Sequence, residues 1–246
     1  MIRSKLGFIA CGVATLIVGL IILFPARVAV HWFAPANVTI GGIQGTVWTG
    51  SAKEASVSGF YTRDIRWSLR PLRIFTGELA IEVSATPVSG FFEAVVSLGF
   101  GGAVSLSELS AALPLELFSD VAGIQGLSGS ASLRFDRLVI VDGLAIAADG
   151  TVVIADLTIP ILSRDSLGGY EAEFSTQNDG IAATVTDTDG IVDLQGDLQV
   201  KSDRSYVFIA QVAAKAETPP AIRQQLQFLP PADEPGQQEL RLDGIL

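Results

Sequence analysis

Across 246 residues the chain holds one cysteine, one histidine and one methionine. Cys11 lies inside an uncharged apolar run, so no disulfide can staple the remainder, and thiol catalysis is excluded. His31 has no second histidine or cysteine with which to share a metal, and it reads as an interfacial or solvated imidazole. No nucleophile elbow, Walker loop, dinucleotide fingerprint or zinc-ligand spacing occurs. Carboxylates are plentiful, yet most follow a turn or strand-edge pattern. Glu171 and Glu173 fall on one side of a strand and read as a solvated face. Glycosidase-like acid–base work would need one of them buried. The residues predict a protein that is not an enzyme and has no cofactor and no metal.

Charge is missing in two places. From Leu6 to Phe24 there are 19 consecutive uncharged residues. A helix rising about 1.5 Å per residue over that length just crosses a hydrocarbon core of roughly 30 Å. Arg3 and Lys5 precede it, which by the positive-inside rule puts residues 1–5 in the cytoplasm and everything after Pro25 across the membrane. A cleaved leader would carry an apolar stretch of roughly 7–15 residues followed by a small-x-small site. Here the stretch is longer and runs into Phe24, Pro25 and Arg27, while Ala34-Pro35-Ala36 lies well beyond it. The expectation is an uncleaved, single-pass anchor at 6–24 in the inner membrane of a Gram-negative envelope. A juxtamembrane segment at 25–36 and a periplasmic body at 37–246 follow. In that segment Arg27 and His31 can reach headgroups while Trp32 and Phe33 sit at the interface.

The second gap is in basic residues, none of which occurs between Ile74 and Leu133. Beyond the anchor, 14 Lys and Arg stand against all 26 Asp and Glu. So acidic a body has little reason to bind nucleic acid or anionic headgroups directly. Lys53, Arg63, Arg66, Arg70 and Arg73 nevertheless crowd into 21 residues. Such charges are ordinarily solvated strand faces and loop ends; the sharper expectation is a docking patch for an acidic partner at Arg63, Arg66, Arg70 and Arg73. Spacings of three, four and three would not keep all four on one face of a regular strand.

The body itself is patterned as strands throughout, with short apolar runs alternating with Ser, Thr, Asp and Glu and punctuated by glycine. In Ser130–Val141, Leu133 and Phe135 fall on one side and charges on the other. Asp142-Gly143, Asp149-Gly150, Asp179-Gly180 and Asp189-Gly190 each precede an apolar run and predict consecutive antiparallel hairpins. Helical signal is confined to two short stretches, Pro114–Asp120 and Pro219–Leu229. The second is opened by two prolines, closed by Pro230-Pro231, and carries Ile222, Leu226 and Leu229 as a stripe to pack on the sheet. Gln238–Leu246 reads as a last strand. Gly42-Ile-Gln-Gly45 is echoed at Gly123-Ile-Gln-Gly126, which suggests similar halves at 37–117 and 118–198 with a C-terminal helix–strand tail. Glycines within strands mark bends, and a periodically bent sheet curls. The predicted fold is all-β: an extended, curved antiparallel sheet with two short helices behind one N-terminal transmembrane helix.

Several of these residues resemble a known family. Phe24-Pro-Ala-Arg-Val-Ala29, Trp32, Gly42-x-x-Gly45-Thr-Val-Trp48-Thr-Gly50-x-Ala52, Gly59, Ile65-Arg-Trp67-Ser-Leu-Arg-Pro-Leu72 and Gly77 are similar to protein N of the type II secretion system. Pro219–Leu229, Gly236 and Leu240-x-Leu242-x-Gly244 support the match, whereas the middle agrees only in pattern. The resemblance implies an inner-membrane accessory of the machine that moves folded periplasmic proteins across the outer membrane, with other secretion-system subunits as partners. Gly45, Trp48, Gly50 and Trp67 form its aromatic–glycine motif, and the two tryptophans are expected to anchor the first hairpins. A weaker resemblance to AsmA-like envelope proteins implies a different function, binding or transfer of phospholipid along a curled sheet. A filled inward face would favour the scaffold, and an open apolar groove would favour lipid.

Overall fold

In the computed structural model the described residues are 12–13, 15–33, 38–57, 60–70, 79–87, 89–99, 102–119, 123–232 and 236–245. Fourteen strands join in a single antiparallel sheet. They are β1 (Val38–Gly41), β2 (Gln44–Gly45), β3 (Thr49–Val57), β4 (Phe60–Leu69), β5 (Leu79–Pro87), β6 (Phe91–Leu98) and β7 (Val104–Pro114). These are followed by β8 (Ser128–Val141), β9 (Leu144–Thr158), β10 (Tyr170–Gln177), β11 (Gly180–Asp187), β12 (Val192–Lys201), β13 (Ser205–Ala214) and β14 (Gln238–Ile245). From β3 onward each strand pairs with the next, while β1 and β2 both lie on the free side of β3. The sheet is therefore an uninterrupted meander with β14 at the opposite edge. β7 pairs with β8 along its whole length, so the sheet continues across residues 117 and 118 without a break.

One apolar face runs the width of this meander. The register aligns Trp67 with Val83 and Val83 with Ala94; beyond a bulge, Phe92 pairs Ala111, Ala111 pairs Leu133 and Leu133 pairs Val152. Val152 opposes Ala172, Ala172 opposes Val185, and the row ends at Gly196, Ala210 and Leu240. Side chains alternate along a strand, so these residues all share the inner face. Their packing is shallow. The accessible surface is 15778 Å², against roughly 10,500 Å² for a compact protein of this mass. Many fully buried positions are alanines, including Ala80, Ala94, Ala131, Ala148 and Ala210. A largely single-layered sheet has no second layer against which to bury large side chains.

Bulges at acidic residues bend the strands. Asp64, Glu108 and Asp156 have φ of 50°, 54° and 53°, and each lies at a register shift. An extra residue in one strand breaks the alternation locally and increases the twist. Three of the expected Asp-Gly steps lie at connections between strands: Asp142-Gly143, Asp179-Gly180 and Asp189-Gly190. The fourth does not. Asp149-Gly150 lies inside β9, where a Cβ on Gly150 would strike the backbone and ring of Phe135, so this glycine serves close packing and not a turn. The carboxylate of Asp149 accepts hydrogen bonds from the Thr176 N–H and hydroxyl at 2.8 and 3.0 Å.

Among the described residues, short helical segments accompany the sheet. The 114–120 stretch makes a single 3₁₀ turn, Leu115–Phe118, and the C-terminal stretch an α-helix, Pro220–Leu226, with Ile222 buried. A further helix, Ala26–Phe33, fills the segment expected to lie beside the membrane. Within the apolar run, residues 12–13 and 15–22 are helical, and Val13, Leu16, Ile17 and Leu20 project into the surroundings. Among the described residues no helix is long and apolar enough to cross a membrane. Cys11 and Arg73 lie outside the described residues.

Candidate functional site

The glycine–tryptophan motif forms a clamp between the N-terminal helical residues and the sheet. Thr46 to Thr49 make a tight loop in which the Thr46 N–H donates to the Thr49 carbonyl at 2.9 Å. The Thr46 hydroxyl oxygen accepts from the Trp48 and Thr49 N–H groups. Gly45 closes the loop at φ +89°, where a Cβ would crowd the Thr49 carbonyl. Gly50 makes room for the Trp67 ring, and the Trp67 indole N–H donates to the Thr46 carbonyl at 3.1 Å. Trp48 points the other way. Its indole N–H donates to the Ile21 carbonyl at 2.7 Å, at the end of the apolar helical residues. The Val47 N–H donates to the Phe24 carbonyl, the Arg27 side chain donates to the Ile43 carbonyl, and Pro25 bridges Thr46. The bonds to Ile21 and Phe24 reach carbonyls at the carboxyl end of the helical residues, where helix geometry leaves acceptors accessible, and the Ile21 carbonyl also accepts from the Phe24 N–H at 3.3 Å. Phe24 and Trp32 pack beside the clamp with their rings tilted by 50° and centroids 6.0 Å apart.

Arg63, Arg66 and Arg70 lie on the outer face. Arg63 and Arg66 are three apart, a spacing that a regular strand would split between faces. The bulge at Asp64 restores them to one side: Arg63 opposes Thr86 and Arg66 opposes Ser84, two residues apart on β5. Both are exposed, and neither forms an ion pair among the described residues. Arg70 is engaged internally. Its guanidinium pairs with Glu108 at 3.3 Å and Glu82 at 3.5 Å, and the hydrogen bond to Glu108 raises its pKa. Arg70, just past the end of β4, thereby supplies a cation to β5 and β7, which carry no basic residue of their own.

A third feature lies on the inner face near the C-terminus. Between the 159–169 connection, strands β9 to β14 and the helix Pro220–Leu226 runs an apolar groove of about 640 Å³. Leu157, Leu167, Val185, Leu194, Leu226 and Leu240 are among its walls, and Tyr170 and Gln225 are its polar contributors. The helix that roofs it is latched at its start. Lys215 pairs with Asp187 and donates to the Gly190 carbonyl, and the Thr218 hydroxyl donates to the Ile191 carbonyl. Arg223 donates to the Lys215 carbonyl at 3.0 Å. Burial pushes the Asp187 carboxyl upward, but the Lys215 ammonium and the Leu194 N–H together hold it below the usual carboxylate range. Lys215 is raised in turn by its bond to Asp187. Burial, then the nearby Asp187 and Asp189 charges, raise the Tyr170 phenol, whose hydroxyl donates to the Leu167 carbonyl.

The family profile "Type II secretion system (T2SS), protein N" matches residues 36–241, and this range holds most of the clamp, the arginines and nearly all of the groove. The chain belongs to the type II secretion system protein N family. It is 24% identical over 249 residues to the type II secretion system protein N of Vibrio cholerae serotype O1, covering 94% of each chain. No solved structure matches it. For this member of the protein N family the match extends through the central strands, which the motif resemblance alone reached only in pattern. Membership makes the chain a component of type II secretion. The groove and its Lys215–Asp187 latch were not among the sequence-based candidates. The apolar stripe Ile222, Leu226 and Leu229 pointed toward them, because it required a surface on which to pack.

Proposed function

We propose that this protein N family member is a non-catalytic inner-membrane component of type II secretion that acts through periplasmic protein contacts. The Leu6–Phe24 run supplies the anchor, with residues 1–5 in the cytoplasm and 37–246 in the periplasm. The helix Ala26–Phe33 lies at the membrane surface, where Trp32 is exposed. The observation that carries the reading is the match across residues 36–241. The clamp supports it by joining the anchor to the first turn through the Ile21 and Phe24 carbonyls, so the sheet leaves the membrane at a fixed angle. The docking patch for an acidic surface on another subunit is Arg63, Arg66, Arg70 and Arg73, of which Arg63 and Arg66 supply an exposed pair on one face. The left-handed backbone at both glycines of each Gly-Ile-Gln-Gly motif, φ +66° and +89° in one and +66° and +75° in the other, supports similar halves. The test is purification of the full chain in mild detergent with mass spectrometry of accompanying proteins and lipids. Recovery of secretion-system subunits supports this reading, and their absence would overturn it.

A second reading, phospholipid binding, is favoured by one observation. The inner face is filled where Leu109, Phe135, Phe174 and Ile181 pack together, but it is left open as an apolar groove under the C-terminal helix. Bound phospholipid without secretion subunits would favour it.

A further inference from the structure

We propose that the groove beneath helix Pro220–Leu226 holds the hydrocarbon chain of a lipid in a blind pocket, and that the inner face is not a continuous lipid conduit. This rests on the lipid reading of the groove and is independent of the subunit-docking reading.

The dimensions select the occupant. A partner helix is about 10–12 Å across and rises 1.5 Å per residue, so 640 Å³ would admit only about four or five of its residues. An extended peptide fits no better. The floor is made of strands whose backbone groups are already paired in the ladder, so inserted peptide groups would be buried without partners. A hydrocarbon chain brings no polar groups and matches the aliphatic walls.

Named residues stand at both ends of the groove. Toward the filled part of the face, the Phe208 ring lies over Gly196, where a Cβ would come within 2.9 Å of it. Further along the same face Phe135 and Phe174 pack with centroids 5.6 Å apart. At the other end stand Lys215, Asp187 and Thr218 with their hydrogen bonds to the Gly190 and Ile191 carbonyls.

The mouth lies between the 159–169 connection and the end of the roof helix. Leu162 and Leu229 line the groove there, and their sequence neighbours Ile161 and Phe228 are 86% and 88% exposed. They are the most exposed large apolar side chains among the described residues, and they carry the apolar surface outward to where a chain would enter. Arg164, exposed and without an ion pair among the described residues, stands two residues from Leu162. Its guanidinium complements an anionic head, whether the carboxylate of a fatty acid or the phosphate of a phospholipid.

The experiment uses the full chain in vesicles of phosphatidylethanolamine and phosphatidylglycerol. One arm adds palmitate carrying a photoreactive diazirine at the chain end, and the other adds phosphatidylglycerol carrying the same chain. After irradiation, mass spectrometry maps the adducts. Adducts on peptides spanning 157–170 and 219–232 are expected, alongside membrane labelling of residues 12–33 as an internal reference. Leu242→Arg, at a half-exposed rim position, and Leu229→Trp, which fills the groove with an apolar ring, should each reduce groove labelling at least fivefold relative to that reference. Arg164→Glu should reduce it in both arms. Labelling by palmitate alone identifies a free fatty acid, and labelling by phosphatidylglycerol alone identifies a phospholipid. Adducts confined to residues 12–33, or groove adducts indifferent to Leu229→Trp in a protein with unchanged circular dichroism, would overturn the proposal. Recovery of secretion subunits with the same variants separates loss of the pocket from loss of docking.

Discussion

Gly50 lies against the indole of Trp67, whose N–H reaches the Thr46 carbonyl; a Cβ at residue 50 would fall on the ring and on the Gln44 carbonyl. The substitution Gly50→Ala is therefore an overpacking change at a hydrogen-bonded loop. Such changes cost about 1–3 kcal/mol, which for a chain of this size lowers Tm by roughly 3–10 °C. Thermal unfolding of the full chain in detergent checks the size of the effect, and near-ultraviolet circular dichroism checks that the tryptophan environment is what changes. Gly99→Ala is the control. Its Cβ would meet nothing nearer than 3.7 Å, and its stability should be unchanged or slightly improved.

Trp48→Phe keeps an aromatic ring against Leu20 and Phe24 but removes the donor to the Ile21 carbonyl. A single hydrogen bond of this kind contributes about 1 kcal/mol. Amide exchange across residues 43–50 should accelerate about fivefold while β8 and β9 stay protected. Equal exchange in both regions would mean the indole N–H does not fasten the clamp.

Arg63→Glu with Arg66→Glu reverses two exposed charges that lack ion-pair partners among the described residues. Recovery of secretion subunits should drop severalfold with Tm within about 2 °C of the parent, since surface substitutions away from packed features rarely change stability much. Arg70→Glu behaves differently, because it sets three carboxylates against one another at Glu82 and Glu108 and should lower Tm. Equal subunit recovery in the double variant would remove the pair from the docking surface.

What was legible in the sequence followed from period and turn chemistry. Leu133 and Phe135 are on the inner face as their alternation requires, and Ile222 and Leu226 pack on the sheet as their helical spacing requires. The bulges were not legible. A single Asp with positive φ looks in sequence like any solvated strand residue, yet Asp64 decides that Arg63 and Arg66 share a face. Asp149-Gly150 carried the same dipeptide signal as a turn, and only the Phe135 ring across the sheet distinguishes the two uses. The groove was hidden for a related reason. Its walls come from segments between Ile154 and Leu242 that are contiguous only after the meander and the roof helix are in place.

The latch at Asp187 makes the roof helix sensitive to pH in a direction fixed by the two shifts. Asp187 titrates below its ordinary value of about 3.9. Its stabilisation is therefore complete above about pH 4 and is lost as the pH falls through the folded-state value. Lys215 titrates above its ordinary value of about 10.4, so its share is complete below that pH and is lost as the pH rises through the folded-state value. Between roughly pH 4 and pH 10 the pair should hold the segment 215–229 at constant protection. Amide exchange of that segment, corrected for the intrinsic effect of pH, should stay flat across the window and rise at both ends. Asp187→Asn retains an acceptor for the Leu194 N–H but removes the charge facing Lys215. It should raise exchange of 215–229 at neutral pH by about tenfold, equivalent to 1.4 kcal/mol, and abolish the acid limb, while exchange in β8 and β9 is unaffected. An acid limb that persists in Asp187→Asn would assign the titration to another carboxyl.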